Sequence, residues 1–289
     1  MTNDETTTHR LTLLGAGVMG VGIAALALGH GVPVVLIDVD PARLDRARGE
    51  IDREVRRARL MGALPAGRVP GELRTGTSVA AAADSTAVVE AVTERADLKV
   101  KALTEAAATV GDGAPLISNT SSIPIGELAA ELPRPEALVG THFMNPPSLI
   151  RQVEVIRGPD TGEAAMAAVT ALLAAMERRA VVVRDAPGFV TSRVLHPMIN
   201  DAIRVLAAGT ASAAAIDTLM EGCLGHPMGP LRTADLIGLD NLADSLTVLH
   251  ERTSDARCAP CGLLLEKVRD GHLGRKSGRG FFEYTEAGA

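Results

Sequence analysis

Short apolar runs alternate with amphipathic stretches through the first two thirds of the chain. Residues 11–14, 32–37, 87–92, 115–118, 137–141, 152–157 and 180–184 read as strands, several of them apolar throughout as strands buried on both faces are. Between them, residues 18–28, 41–60, 97–110, 125–132 and 161–177 carry helical patterns. Regular alternation of strand and helix predicts a doubly wound, mostly parallel sheet, in which the strand ends carry the site. The Gly- and Pro-rich residues 62–76 predict a loop or a hairpin of helices. Past Asp185-Ala186-Pro187-Gly188 nothing reads as a buried strand, and residues 189–208, 212–223, 239–253 and 261–270 read as helices between Gly/Pro turns such as His226-Pro227-Met228-Gly229-Pro230. The chain is therefore read as α/β, with a doubly wound domain at 1–185 and a smaller all-helical domain at 186–289.

The stretch from Leu11 to Asp38 organises the rest. A strand runs into Gly15-x-Gly17-x-x-Gly20, an apolar small-residue helix follows, and a second strand stops at Asp38. Gly15 permits the sharp turn, Gly17 clears space for a pyrophosphate, and Gly20 lets helix and sheet approach closely. The helix start at Val18 and Met19 offers backbone N–H groups to phosphate. Asp38, 18 positions past Gly20, can accept hydrogen bonds from ribose hydroxyls and repels a 2′-phosphate. The reading is a Rossmann-type domain that binds NAD in preference to NADP.

Composition narrows this without redirecting it. The formal net charge of −6 gives no basic field for nucleic acid. No apolar run is both long and unbroken enough to span a bilayer, and MTNDETTTHR lacks a basic-then-apolar leader pattern, so a frayed tail and a cytoplasmic location are expected. Residues 41–60 hold seven arginines among Asp45, Glu50, Asp52 and Glu54, a pattern that suits a solvated helix with i,i+4 pairs or a docking face for an acidic partner. Cys258-Ala-Pro-Cys261 has the spacing of a redox dithiol or half a zinc site, but no second pair exists, so incidental thiols and no metal are expected.

Chemistry concentrates after the later strands. Ser118-Asn119-Thr120-Ser121-Ser122 follows one strand, Thr141-His142-Phe143-Met144-Asn145-Pro146 the next, and Glu154 sits within the strand after that. Imidazole exchanges protons near neutral pH, so His142 at a strand end is either a general base or a satisfied buried histidine. A carboxylate in reach would fix its tautomer and steady the imidazolium.

Over essentially its whole length after the tail, the chain resembles the 3-hydroxyacyl-CoA dehydrogenase family. The matching signatures are GAGVMGVGIA, SNTSS, HFMNPP, QVEVI, DAPGFV, GHPMGPLRTADLIGLD and GRKSGRGFF, in that order. The resemblance implies that His142 takes the proton of the substrate's 3-hydroxyl while hydride leaves C3 for NAD, with Glu154 paired to it. It implies that Ser121 bonds near the reacting oxygen and the cofactor, that Glu94 and Lys101 hold the nicotinamide ribose, and that Asn145 and Lys276 contact the cofactor. Without it, Lys101 and Lys276 are plain surface lysines. It also implies a cleft between the two domains and a homodimer through the helical one.

Three departures bear on the substrate. Where the family has Asn-Arg after PGF, this chain has Ser192-Arg193, and a hydroxyl cannot reproduce an amide's reach. Ser192, His196 and Asn200 fall on one helix face, either a polar stripe toward a small hydroxylated acyl group or an outward solvated face. Glu54 and Met61 align with the family's CoA-contacting serine and lysine, and neither suits a phosphate. Beside the arginines this fits a thioester carried on an acidic acyl carrier protein, as in relatives of the family that oxidise glyceryl-carrier-protein for polyketide extender units. CoA and carrier protein stay open, beside a dehydrogenase of a free hydroxy acid and a non-catalytic NAD-binding protein.

Overall fold

The computed structural model describes residues 9–284, and the N-terminal tail expected at 1–10 lies almost wholly outside them. Two compact units part at Asp185 and Ala186.

The first unit is built on an eight-stranded sheet: β1 (Leu11–Leu14), β2 (Val34–Ile37), β3 (Leu73–Gly76), β4 (Ala87–Glu90), β5 (Leu116–Ser118), β6 (Leu138–His142), β7 (Gln152–Arg157) and β8 (Arg179–Arg184). The order is β3-β2-β1-β4-β5-β6-β7-β8. Every neighbouring pair is parallel except β6 and β7. Helices α1 (Val18–Gly29), α2 (Pro41–Leu60), α3 (Ala96–Ala107), α4 (Ile125–Ala129) and α5 (Glu163–Ala175) make the crossovers. α1 is buried from Gly20 to Gly29, which is why its sequence is apolar all round. α2 buries only Leu44, Ala47, Ile51 and Ala58 and turns its arginines outward. Leu13, Ile23, Leu26 and Leu36 are fully buried in the core, each such side chain worth about 2 kcal/mol relative to exposure.

β3 corrects the expectation of a loop or helical hairpin at 62–76. Its four residues, LRTG, are all partly exposed, so no hydrophobic signal marks it. Pairing creates it: β3 lies along β2 with Leu73 opposite Val34. Gly71 lets the chain in, because a Cβ there would meet the Val32 carbonyl oxygen at 2.2 Å.

The second unit holds α6 (Thr191–Ala207), α7 (Ala213–Leu224), α8 (Pro230–Ile237), α9 (Leu239–Thr253) and α10 (Gly262–Arg269) around Ile199, Ile203, Leu231, Leu242, Leu246 and Leu264. α8 has no counterpart among the expected helices, its start being hidden in a Gly/Pro turn. Its N-terminus is capped from a distance, since the Asp217 carboxylate on α7 accepts from Leu231 N at 2.8 Å and Arg232 N at 3.0 Å. No helix among the described residues is long and apolar enough to cross a membrane.

Candidate active site

The three glycines of the first turn answer to different neighbours. Gly15 has φ +102°, and a Cβ there would meet the Ala91 carbonyl oxygen at 2.6 Å. A Cβ on Gly20 would lie 1.9 Å from the Gly15 carbonyl oxygen. Gly17 differs: its backbone is ordinary extended chain, φ −75° and ψ −172°, and an added Cβ would meet nothing within 4 Å. Nothing among the described residues requires glycine at that point, so the space it keeps open fits a ligand against the turn. No side chain among the described residues caps α1, which leaves the first-turn N–H groups at Val18, Met19 and Gly20 to the same space. Asp38 reaches this turn from the end of β2, where its carboxylate accepts from Ala16 N at 2.8 Å and Asp40 N at 3.0 Å. The arrangement fits a dinucleotide, whose pyrophosphate the Gly17 turn would hold and whose ribose Asp38 would accept from.

His142 and Glu154 meet because β7 runs against β6. The antiparallel register sets the two residues directly opposite each other. Their side chains lie on one face, and Nδ1 of His142 stands 2.9 Å from Oε2 of Glu154, with both groups largely buried. A carboxylate can only accept, so Nδ1 carries the proton and Nε2 is the basic position of the ring.

The serine loop after β5 is held by one carboxylate. Oε1 of Glu94 accepts from Thr120 Oγ1 at 2.5 Å, Ser121 N at 2.9 Å, Ser122 N at 3.0 Å and Ser122 Oγ at 3.1 Å, while Ser121 Oγ stands 3.4 Å away. Asn119 Oδ1 accepts from Phe143 N at 3.2 Å, tying this loop to the residue after His142. Behind Glu94 stands Lys99, whose side chain is fully buried and whose Nζ lies 3.1 Å from Glu94 Oε2 and 2.8 Å from Oε1 of the equally buried Glu90. Glu90 also accepts from Val92 N and Ser118 Oγ. Burial alone would raise the Glu94 carboxyl, but the Lys99 charge and the bonds from Thr120, Lys99 and Ser121 outweigh it and hold it below the usual carboxylate range.

The lysine beside Glu94 is Lys99. Lys101 is exposed, and Lys99 takes the inward place. Two helical positions are about 200° of rotation, so the residues cannot share a face of α3. Sequence reasoning also passed over Glu90 and gave Asn119 no role of its own. An acid ending the otherwise apolar strand AVVE was the available signal, since a buried carboxylate demands a partner.

Asn145 lines a groove with Pro146, Pro147, Val18, Val21, Gly22, Glu50, Arg53 and Glu54, so it stands on the same side as the glycine turn. Met61 is exposed at the C-terminal end of α2 and is not among these lining residues.

In the helical unit, Ser192, His196 and Asn200 are all buried, which excludes the outward solvated face. His196 Nδ1 lies 2.8 Å from Ser245 Oγ. Asn200 donates to the Arg257 and Ala259 carbonyls and accepts from Cys261 N, so its amide pins the 257–261 loop and is not offered to an acyl chain. Lys276 pairs with Asp240 at 2.5 Å. Cys258 and Cys261 are free thiols, and burial pushes the Cys258 thiol up.

Comparison with known proteins agrees with this geometry. The NAD binding domain of 3-hydroxyacyl-CoA dehydrogenase matches residues 10–186, and the C-terminal domain of the same family matches residues 188–284. A probable 3-hydroxybutyryl-CoA dehydrogenase of Bacillus subtilis is 40% identical, covering 96% of this chain and 98% of the relative. The 3-hydroxybutyryl-CoA dehydrogenase of Bradyrhizobium diazoefficiens is 38% identical, with 96% of each covered. Among solved structures, (S)-3-hydroxybutyryl-CoA dehydrogenase PaaH1 of Ralstonia eutropha superposes with a TM-score of 0.86 at 36% identity, covering 97% of this chain and all of that one. The chain belongs to the 3-hydroxyacyl-CoA dehydrogenase family.

Proposed function

We propose that the protein oxidises the 3-hydroxyl of a 3-hydroxyacyl thioester to the 3-oxo compound, reversibly, with NAD as hydride acceptor. The observation that carries this is the His142–Glu154 pair, a base with a fixed tautomer in the same sheet as a glycine turn that keeps space for a dinucleotide. Bound NAD supplies the acceptor for the hydride that leaves C3. His142 takes the hydroxyl proton at Nε2, and Glu154, through Nδ1–H, stabilises the imidazolium that forms. Ser121, fixed by Glu94, hydrogen-bonds the substrate oxygen. Gly15, Gly17, Val18, Met19, Gly20, Asp38, Glu94, Asn145 and Lys276 hold the cofactor in this reading, and Ser192 takes the place of the family asparagine toward the substrate. A cytoplasmic homodimer joined through the helical unit completes it.

The names of the relatives make 3-hydroxybutyryl-CoA the first substrate to try. A carrier protein is the alternative tested beside it: Glu50 and Glu54 line the groove beside Asn145 together with Arg53, so the groove presents both signs of charge to an anionic CoA. The deciding experiment follows nicotinamide absorbance with acetoacetyl-CoA and with the same acyl group on an acyl carrier protein. Turnover of the CoA ester makes this an acyl-CoA enzyme, and turnover confined to the carrier-bound substrate makes the groove acids selective. Cofactor binding with turnover of neither overturns the proposal.

A further inference from the structure

The groove between the glycine turn and α2 is lined by Ala16, Gly17, Val18, Arg43, Arg46 and Glu50. It therefore joins the space Gly17 keeps open to two guanidinium groups. Arg43 stands in the first turn of α2, five residues past Asp38. Among the described residues the nearest acid to Arg46 is Asp40, at 4.0 Å with both side chains more than half exposed, too loose a pair to occupy a five-donor guanidinium. Asp38 spends one lone pair of each oxygen on Ala16 N and Asp40 N and keeps one on each for a ribose hydroxyl. Asp38, bonded to Ala16 at the edge of this groove, presents a carboxylate that repels a 2′-phosphate, and the lining itself carries two cations that attract one beside a single acid, Glu50.

We infer that Arg43 and Arg46 form a phosphate-binding element masked by the Asp38 charge, the charge already read as setting the preference for NAD. With that charge removed, the arginines take the 2′-phosphate of NADP. The inference rests on the reading of the Gly15–Gly20 turn as the dinucleotide site. It makes Arg43 and Arg46 specificity-determining residues, beyond the solvated-helix role their sequence pattern suggests.

The test is calorimetric titration of the full chain with NADH and with NADPH. Asp38→Asn keeps an acceptor for Ala16 N and removes the charge, and its melting temperature reports whether it folds. The ratio of NADPH to NADH affinity rises about 100-fold in Asp38→Asn. Adding Arg43→Gln and Arg46→Gln takes back about ten-fold of that, the worth of a lost charge-assisted contact to phosphate. Adding Arg56→Gln and Arg57→Gln instead removes the same charge from the far end of α2, about 18 Å along the helix, and leaves the raised ratio standing. Equal loss of both dinucleotides on removing Arg43 and Arg46 overturns the inference and makes them pyrophosphate ligands. A ratio that falls as far with the distant pair also overturns it. If the wild-type chain binds neither dinucleotide, the reading of the turn itself has failed, and the inference with it.

Discussion

Glu94 in the sheet unit and Asp235 in the helical unit each gather donors from a distant segment, in different electrostatic company. Glu94 organises residues 120–122 with the Lys99 ammonium behind it. Asp235, almost fully buried, accepts from Phe281 N at 2.9 Å, Phe282 N at 3.0 Å and the Tyr284 hydroxyl at 2.9 Å, so its donors are neutral groups of the C-terminal stretch. Burial and the neighbouring carboxylate push Tyr284 up to about 12, so it stays a donor. The glycines of GRKSGRGFF belong to this clasp: a Cβ on Gly280 would lie 1.9 Å from Asp235 Oδ1, and one on Gly274 would lie 2.3 Å from the Asp235 carbonyl oxygen. The sheet unit uses a buried ion network to hold a loop beside a reactive histidine, and the helical unit uses an acid as a neutral-donor clasp. Charge is kept where a serine must be aimed; plain hydrogen bonds suffice where the chain has only to be closed.

The largest expected effect separates chemistry from support. His142→Ala, or Glu154→Gln more mildly, lowers turnover by about 100-fold or more while NADH affinity stays as it was, as steady-state rates and calorimetry on one preparation will register. Undiminished turnover removes the pair from the mechanism. Next is the ion network: Lys99→Met strands buried Glu90 and costs about 3–5 kcal/mol in urea unfolding, and adding Glu90→Gln recovers part of that. No recovery in the double variant means Lys99 acts by packing alone. Asp235→Ala leaves three donors without an acceptor and costs about 2–4 kcal/mol, with a lower melting temperature. If turnover per folded molecule falls as much as in His142→Ala, the comparison between the two clasps breaks.

The smallest effect is in acid. Glu94 titrates below its ordinary 4.5, so its contribution to stability is complete above that value and is lost as pH falls through the lowered one. Asp217 titrates above its ordinary 3.8 because burial outweighs its bonds to Leu231 and Arg232, so its contribution is present below 3.8 and lost as pH rises through the raised value. Glu94→Gln therefore flattens the acid limb of the stability curve and Asp217→Asn steepens it, measured by urea unfolding between about pH 3 and pH 6. Matching slopes in the two variants contradict the opposed signs.

Most strands and helices of both units were legible in the chain, because burial on one or both faces leaves a period that composition cannot hide. The glycine turn, Asp38, His142 and Glu154 were legible as candidates for the same reason: motif residues are set by local backbone demands and by strand ends. What stayed hidden depends on partners far away in sequence. β3 exists through its pairing with β2, and α8 begins where Asp217 caps it. The choice of Lys99 over Lys101 turns on which face of α3 meets Glu90 and Glu94. The burial of Ser192, His196 and Asn200 turns on what packs against α6, which helical spacing alone could not say. Sequence by itself determined the fold class and the kind of chemistry, because local patterns encode periodicity and turn geometry. Tertiary structure alone decided which charges meet, because ion pairing and burial are set by elements that only the folded chain brings together.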